Sequence, residues 1–348
     1  MEIKKIINKK PPLLIAEISC NHNGSLSQAK KLIKCARENG ADAVKLQTYT
    51  PETMTINSNK KYFKIKQGIW RGYSLWDLYK KAQTPFEWQK ELFDYAKKIK
   101  ISCFSTPFDE TAVDLLEKLN CPIYKIASFE MTHFPLIKKV ARTGKSMIIS
   151  TGLANLNEIE KTFYYAKKNG AKNINLLYCV SNYPAKISDF NLNNIKILKN
   201  KFKCKVGLSD HSKDEKIAVA SVAAGAVIIE KHIALDNQKK GLDIKFSLKG
   251  KAIKRFREAI DLSYKLLGKE TFYRHKSEEK NKIFRRSIFA AKDIKKNEKF
   301  TKVNIRRIRP GYGLSPIYYE KLLGKKSPLN LYRGEPINRR LLGKLKIQ

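Results

Sequence analysis

The chain has 348 residues, 42% of them hydrophobic and 10% aromatic, with only 17 Gly and 12 Pro, which excludes a single small module, a disordered chain and a collagen-like repeat. Its 71 Lys and Arg against 32 Asp and Glu leave a net charge of +39, and these cations divide into 57 Lys and 14 Arg spread along the whole length. Diffuse lysine reads as a solvated surface and not as the concentrated face of a phosphate-backbone reader, so no nucleic-acid partner is expected, while the field favours an anionic small substrate at any cleft.

Six cysteines (Cys20, Cys35, Cys103, Cys121, Cys179, Cys204) stand 15 to 68 residues apart with no CxxC pair. They read as reduced thiols in a cytoplasmic protein, neither a zinc cluster nor a disulfide framework. Residues 1–10 are polar and basic, without an export signal. The longest nearly apolar stretch, residues 217–229, is Ala-rich and falls short of the ~20 residues a membrane span needs, so no membrane partner is expected and the stretch reads as a buried helix running into a strand.

In chain order, short β-branched runs at 13–18, 43–47, 101–105, 123–128, 146–150, 174–179, 204–209 and 227–231 alternate with helical patterns, the last helix spanning 252–267. Eight strand–helix repeats in about 260 residues predict an α/β fold of the (β/α)8 TIM barrel type, with an open doubly wound sheet as the alternative. The 58-residue step between the second and third runs holds a long insertion, residues 48–84, with aromatics at Trp70, Tyr73 and Trp76, which reads as a lid or binding loop. A charged stretch after Gly268 reads as a linker. Four strand-like pieces follow it, at 287–290, 294–300, 305–309 and 331–337. The expected domains are therefore 1–268, a linker 269–282, and a small β-rich unit 283–348.

The expected strand ends carry chemistry, as the barrel reading requires. His211 and His232 would meet at the mouths of the seventh and eighth strands, where two imidazoles invite a divalent metal; each alone is more often a satisfied core histidine. Glu17 and Glu130, after the first and fourth strands, could serve as proton donor or acceptor, and a pair of carboxylates also fits a glycosidase. Lys45 and Lys125, with Ser128, Ser150, Ser181 and Ser209, suit a phosphate plus a carboxylate. Either lysine could instead form a Schiff base as in an aldolase, and each serine alone could be a helix cap.

The runs Ile15-Ala16-Glu17-Ile18-Ser19-Cys20-Asn21-His22-Asn23-Gly24, Lys45-Leu46-Gln47-Thr48, Tyr124-Lys125-Ile126-Ala127-Ser128-Phe129-Glu130, Ser150-Thr151-Gly152, Gly207-Leu208-Ser209-Asp210-His211-Ser212 and Glu230-Lys231-His232, taken in order, resemble the sialic acid synthase family. The tail, with Arg286-Ser287-Ile288-Phe289-Ala290-Ala291-Lys292-Asp293-Ile294 and Ile308-Arg309-Pro310-Gly311, looks like that family's antifreeze-like (SAF) domain. The insertion, together with Ser19, resembles the pseudaminic acid synthases more than the N-acetylneuraminate synthases.

This resemblance implies a transferase that condenses phosphoenolpyruvate with 2,4-diacetamido-2,4,6-trideoxy-altrose, by carbon–oxygen cleavage, to give pseudaminic acid and phosphate; other amino-sugar acceptors are the alternative. It further implies that His211 and His232 hold manganese or magnesium. Lys45, Lys125, Ser128, Ser150, Ser181 and Ser209 would anchor phosphoenolpyruvate, and Glu130 would assist water. Glu17, Gln47, Tyr183 and Asp243 would face the sugar, and Arg309 would reach the partner's sugar in a domain-swapped homodimer.

Overall fold

Residues 12–345 are described by a computed structural model. Among them the eight β-branched runs become eight parallel strands: β1 (Leu13–Glu17), β2 (Ala43–Thr48), β3 (Ser102–Pro107), β4 (Ile123–Ile126), β5 (Ser146–Ser150), β6 (Ile174–Cys179), β7 (Val206–Asp210) and β8 (Ile228–Ala234). Each pairs with the next. β1 also pairs with β8, from Leu13↔Ile228 to Glu17↔His232, which closes the barrel and excludes the open sheet. A two-residue strand, β9 (Leu248–Lys249), adds to the end of β8.

The outer helices form for local reasons. Helix Leu26–Glu38 starts at Ser25, whose hydroxyl accepts the Gln28 amide at 3.2 Å, and it buries Ala29, Leu32, Ile33 and Ala36 along one stripe. Helix Leu156–Lys168 opens with a reciprocal cap between Asn155 and Glu158. Such stripes cover the barrel wall, each fully buried Leu or Ile contributing about 1.5–3 kcal/mol. Helix Lys216–Ala223 runs into β8 as the apolar stretch anticipated, and the helix after β9 spans Ala252–Leu267. No helix among the described residues is long and apolar enough to cross a membrane.

Alternation with period two sorts each strand between barrel interior and helix layer. On β4 the Tyr124 hydroxyl reaches outward to Glu117 of helix Glu110–Lys118, while neighbouring Lys125 turns into the barrel mouth. That strand is shorter than the run 123–128 predicts, because the Glu130 amide donates to the Ala127 carbonyl at 3.1 Å and starts a 3₁₀ turn, Ser128–Glu130. The turn carries Ser128 and Glu130 over the mouth.

The insertion is ordered. It holds helix Pro51–Met54, a 3₁₀ turn Lys61–Phe63 and helix Leu75–Ala82. His22 pins its far root: its Nε2 lies 3.2 Å from the Thr84 hydroxyl and its ring packs edge-on to Trp88 at 5.6 Å. Burial lowers the pKa of His22 to about 4, so the imidazole is neutral.

The chain divides after Gly268 into two compact units. In the second, β10 (Ser287–Ala290) and β11 (Ile305–Ile308) pair antiparallel over a core of Ile288, Ile294, Phe300, Ile305, Leu322 and Ile337. The expected strands at 294–300 and 331–337 reduce to isolated bridges, Ile294↔Leu331, Lys299↔Lys326 and Phe289↔Pro336. The turn at Asn297, with a φ of 71°, interrupts the first of them. The stretch 269–282, expected as a plain linker, runs into a 3₁₀ segment, Lys276–Phe284.

Candidate active site

A cavity of about 460 Å³ opens at the C-terminal ends of the strands. Of the residues singled out from the sequence, Lys45, Gln47, Lys125, Ser128, Glu130, Ser150, Tyr183, Ser209, His211, His232 and Asp243 line it. Glu230 lines it too.

Register explains the floor. Glu17 and Lys45 are direct partners across β1 and β2, and their side chains form a buried ion pair. The Lys45 ammonium also donates to the Thr106 hydroxyl at 3.0 Å. Burial works against its charge, but Glu17 and Glu230 outweigh that and hold the Lys45 pKa above the usual lysine value. Glu17 itself is fully buried, accepts the Ser19 amide at 2.8 Å, and does not line the cavity. The expectation that Glu17 faces the sugar is therefore corrected: its carboxylate pairs with Lys45 instead.

Glu230 is the residue whose role sequence reasoning missed. Its carboxylate lies 3.9 Å from Lys45 Nζ and 4.0 Å from Lys125 Nζ, and it accepts the Ser209 hydroxyl at 3.2 Å. Burial alone would raise its pKa; Lys125, Lys45 and the two histidines hold it well below the usual carboxylate value. Lys125 moves the other way, lowered by burial and by Lys45 against the pull of Glu230. The available signal was parity. Glu230 and His232 are two apart on one strand and so face the same side, while Lys231 turns outward to pair with Asp210 at 2.8 Å.

The two imidazoles meet as closure predicts, with ring centroids 5.3 Å apart. His211 Nδ1 lies 3.2 Å from the Val180 carbonyl and 3.7 Å from Cys179 Sγ. Burial disfavours the His211 cation, but Cys179, Val180 and Glu230 outweigh it and raise its pKa. His232 Nδ1 lies 3.4 Å from the Asp243 carboxylate, which also accepts a hydrogen bond from the Ser19 hydroxyl. Among the described residues no three His, Cys, Asp or Glu side chains form a ready metal cage.

The Ser150 hydroxyl and one oxygen of Glu130, both residues of the cavity lining, are buried without hydrogen-bond partners. Buried polar atoms of this kind cost about 1–3 kcal/mol each unless a ligand satisfies them. Burial raises the Glu130 pKa from 4.5 to about 7 against the pull of Lys125, which poises it for proton transfer near neutrality. Ser128 accepts the Gly152 amide at 3.1 Å, and Ser181 lies beside it, 3.8 Å from Cys179 Sγ, without lining the cavity.

The insertion supplies the apolar wall. Met54, Ile65, Trp70, Leu75, Leu78, Tyr79 and Ala82 all line the cavity, whereas Tyr73 and Trp76 do not. Tyr183 stacks between this wall and the imidazoles, 5.3 Å from Trp70 and 4.4 Å from His211. Arg309 belongs to the second unit, where it is exposed.

Comparison with known proteins finds relatives in sequence and in fold. The chain is 42% identical over 330 residues to the pseudaminic acid synthase of Helicobacter pylori, covering 94% of this chain and 97% of that one. It is also 42% identical over 332 residues to the N,N'-diacetyllegionaminic acid synthase of Campylobacter jejuni, covering 94% and 99%. The crystal structure of the N-acetylneuraminic acid synthetase of Leptospira borgpetersenii in complex with citrate superposes with a TM-score of 0.71 at 32% identity, over 78% of this chain and 90% of that chain. A SAF domain matches residues 285–338. Because the NeuB family profile matches from residue 32 to residue 272, across seven of the eight barrel strands, the chain belongs to the NeuB family.

Proposed function

We propose that the chain condenses phosphoenolpyruvate with an open-chain amino-sugar aldehyde, 2,4-diacetamido-2,4,6-trideoxy-altrose, to give pseudaminic acid and phosphate. The observation that carries this reading is the division of one cavity into two halves. Lys45, Lys125 and Ser209 gather around Glu230, forming an anion-binding (anionic) half; His211, His232, Asp243 and Tyr183 contact one another in the other.

The two ammonium groups and the hydroxyls would hold the phosphate and carboxylate of phosphoenolpyruvate with its methylene carbon toward the aldehyde. That carbon forms the new bond to the aldehyde carbon as the enol double bond opens to an oxocarbenium, leaving the aldehyde oxygen as an alkoxide. Water then adds at the oxocarbenium carbon, Glu130 takes the water's proton and returns it to the alkoxide, and collapse to the ketone breaks the carbon–oxygen bond to phosphate, the hydroxyl proton leaving with the phosphate. His211 and His232 would hold a divalent ion, manganese or magnesium. The two neighbouring imidazoles, with the Asp243 carboxylate beside His232, form an imidazole–carboxylate donor set that fits such an ion. When bound, it supplies Lewis-acid polarisation of the sugar carbonyl.

The apolar wall of the cavity favours a sugar bearing a deoxy methyl and acetamido groups over a polyhydroxylated one. In this reading the enzyme works in the cytoplasm, in keeping with six free thiols, and as a domain-swapped homodimer in which exposed Arg309 serves the partner's sugar. Phosphate release with three acceptors assayed side by side tests the function. Turnover with the altrose-type sugar is expected, abolished by chelation and restored by manganese; no release with any amino-sugar would overturn it. The lowered pKa of Lys125 favours one competitor, a Schiff-base aldolase, for which borohydride would trap a pyruvate adduct on Lys125 and chelators would leave activity intact.

A further inference from the structure

The tip of the insertion is a closed loop. The Ile65 amide donates to the Tyr73 carbonyl at 2.9 Å, the Gly72 amide to the Ile65 carbonyl at 3.1 Å, and Gly68 and Gly72 take φ values of 79° and 96°. At its apex Trp70 reaches across to the loop that follows β8, where its indole N–H donates to the Leu242 carbonyl at 3.2 Å. The next residue is Asp243. Its carboxylate lies beside His232 and accepts from Ser19, and its own carbonyl accepts the Ser247 hydroxyl at 2.7 Å. Ser19 and Ser247 thus hold this turn from the barrel side, and Trp70 holds it from the insertion side.

The same indole ring backs Tyr183, which stands over His211. One side chain therefore touches both loops that present the acceptor half of the cavity, and it touches neither lysine of the anionic half. We propose that Trp70 is a positioning residue for the acceptor sugar: it latches the insertion to the Leu242–Asp243 turn and braces Tyr183, so that the wall and the imidazole end of the cavity form one rigid surface. The assignment to the sugar rests on the function proposed above.

The test is Trp70→Phe, which keeps an aromatic brace and removes the donor, alongside Trp70→Ala, which removes both. For Trp70→Phe the sugar KM should rise about fivefold, the measure of one net hydrogen bond, with the phosphoenolpyruvate KM unchanged. Trp70→Ala should raise the sugar KM further. Amide hydrogen exchange needs no substrate and should show peptides covering 242–247 exchanging several-fold faster in Trp70→Phe, with the barrel strands unchanged. Unaltered exchange at 242–247 overturns the latch. Sugar and phosphoenolpyruvate KM rising together overturns the sugar-specific role. Absence of turnover in the unsubstituted enzyme would fail the functional reading, and the exchange measurement would still decide the latch.

Discussion

A β-carbon built on Gly152 would lie 2.1 Å from the hydroxyl oxygen of Ser181. It would also lie 2.8 Å from the hydroxyl of Ser128, so the loop after β5 is shaped around two hydroxyls that leave no space for a methyl group. Gly152→Ala should displace both, raise the phosphoenolpyruvate KM about tenfold or more, and cost about 1–3 kcal/mol from overpacking. Gly152→Ala combined with Ser181→Ala removes the closer of the two contacts and should recover part of the lost stability in a denaturation titration. A single variant with unchanged kinetics would show that these hydroxyls do not shape the anionic half.

Glu130 should govern the pH dependence. Its pKa is raised from 4.5 to about 7 in the folded chain, so folding favours the protonated form. The stability it contributes is fully present below pH 4.5 and is lost as pH rises to about 7, a change on the order of 3 kcal/mol. Urea titrations of Glu130→Gln should lack that decline, leaving the variant more stable than the parent at pH 8. Its kcat should fall about 10²- to 10⁴-fold, as expected when a general acid or base is removed.

Glu230→Gln should expose what the carboxylate neutralises. Without it the ammonium groups of Lys45 and Lys125 repel one another in a buried site, and removing one partner of a buried charge cluster costs about 3–5 kcal/mol. Inorganic phosphate supplies a replacement anion, so it should raise the Tm of Glu230→Gln by more than it raises that of the parent. Equal shifts would mean that the lysines do not receive the anion.

His211→Ala and His232→Ala should keep the barrel closed while losing turnover. In the parent, chelation should abolish phosphate release and manganese should restore it; in either variant manganese should restore little. Manganese binding followed by electron paramagnetic resonance gives a readout independent of catalysis. Unchanged affinity in both variants would place the ion elsewhere.

The barrel was legible because its signal is local and repeated: eight β-branched runs at helix-length intervals, each ending in polar side chains. The contents of the mouth were legible for the same reason, since strand-end position carries a residue such as Ser150 or Lys125 to one rim whatever the loops do. Pairing between neighbours was not. Glu17 carries the same strand-end signature as Lys45, and only the register of β1 against β2 shows that the two side chains consume each other. Glu230 entered only as part of the run Glu230-Lys231-His232, without a role of its own, although alternation already places it on one face with His232. In the second unit the runs 294–300 and 331–337 have strand composition, but Asn297 turns the chain before a ladder can extend.

Lys231 and Asp210 form their buried pair on the outer wall, directly behind the two strands that present His211 and His232. Sliding β8 by one residue against β7 would carry Lys231 into the mouth and leave the Asp210 charge stranded under the helices, a misalignment that costs several kcal/mol. The pair is therefore satisfied only in the alignment in which the imidazoles converge.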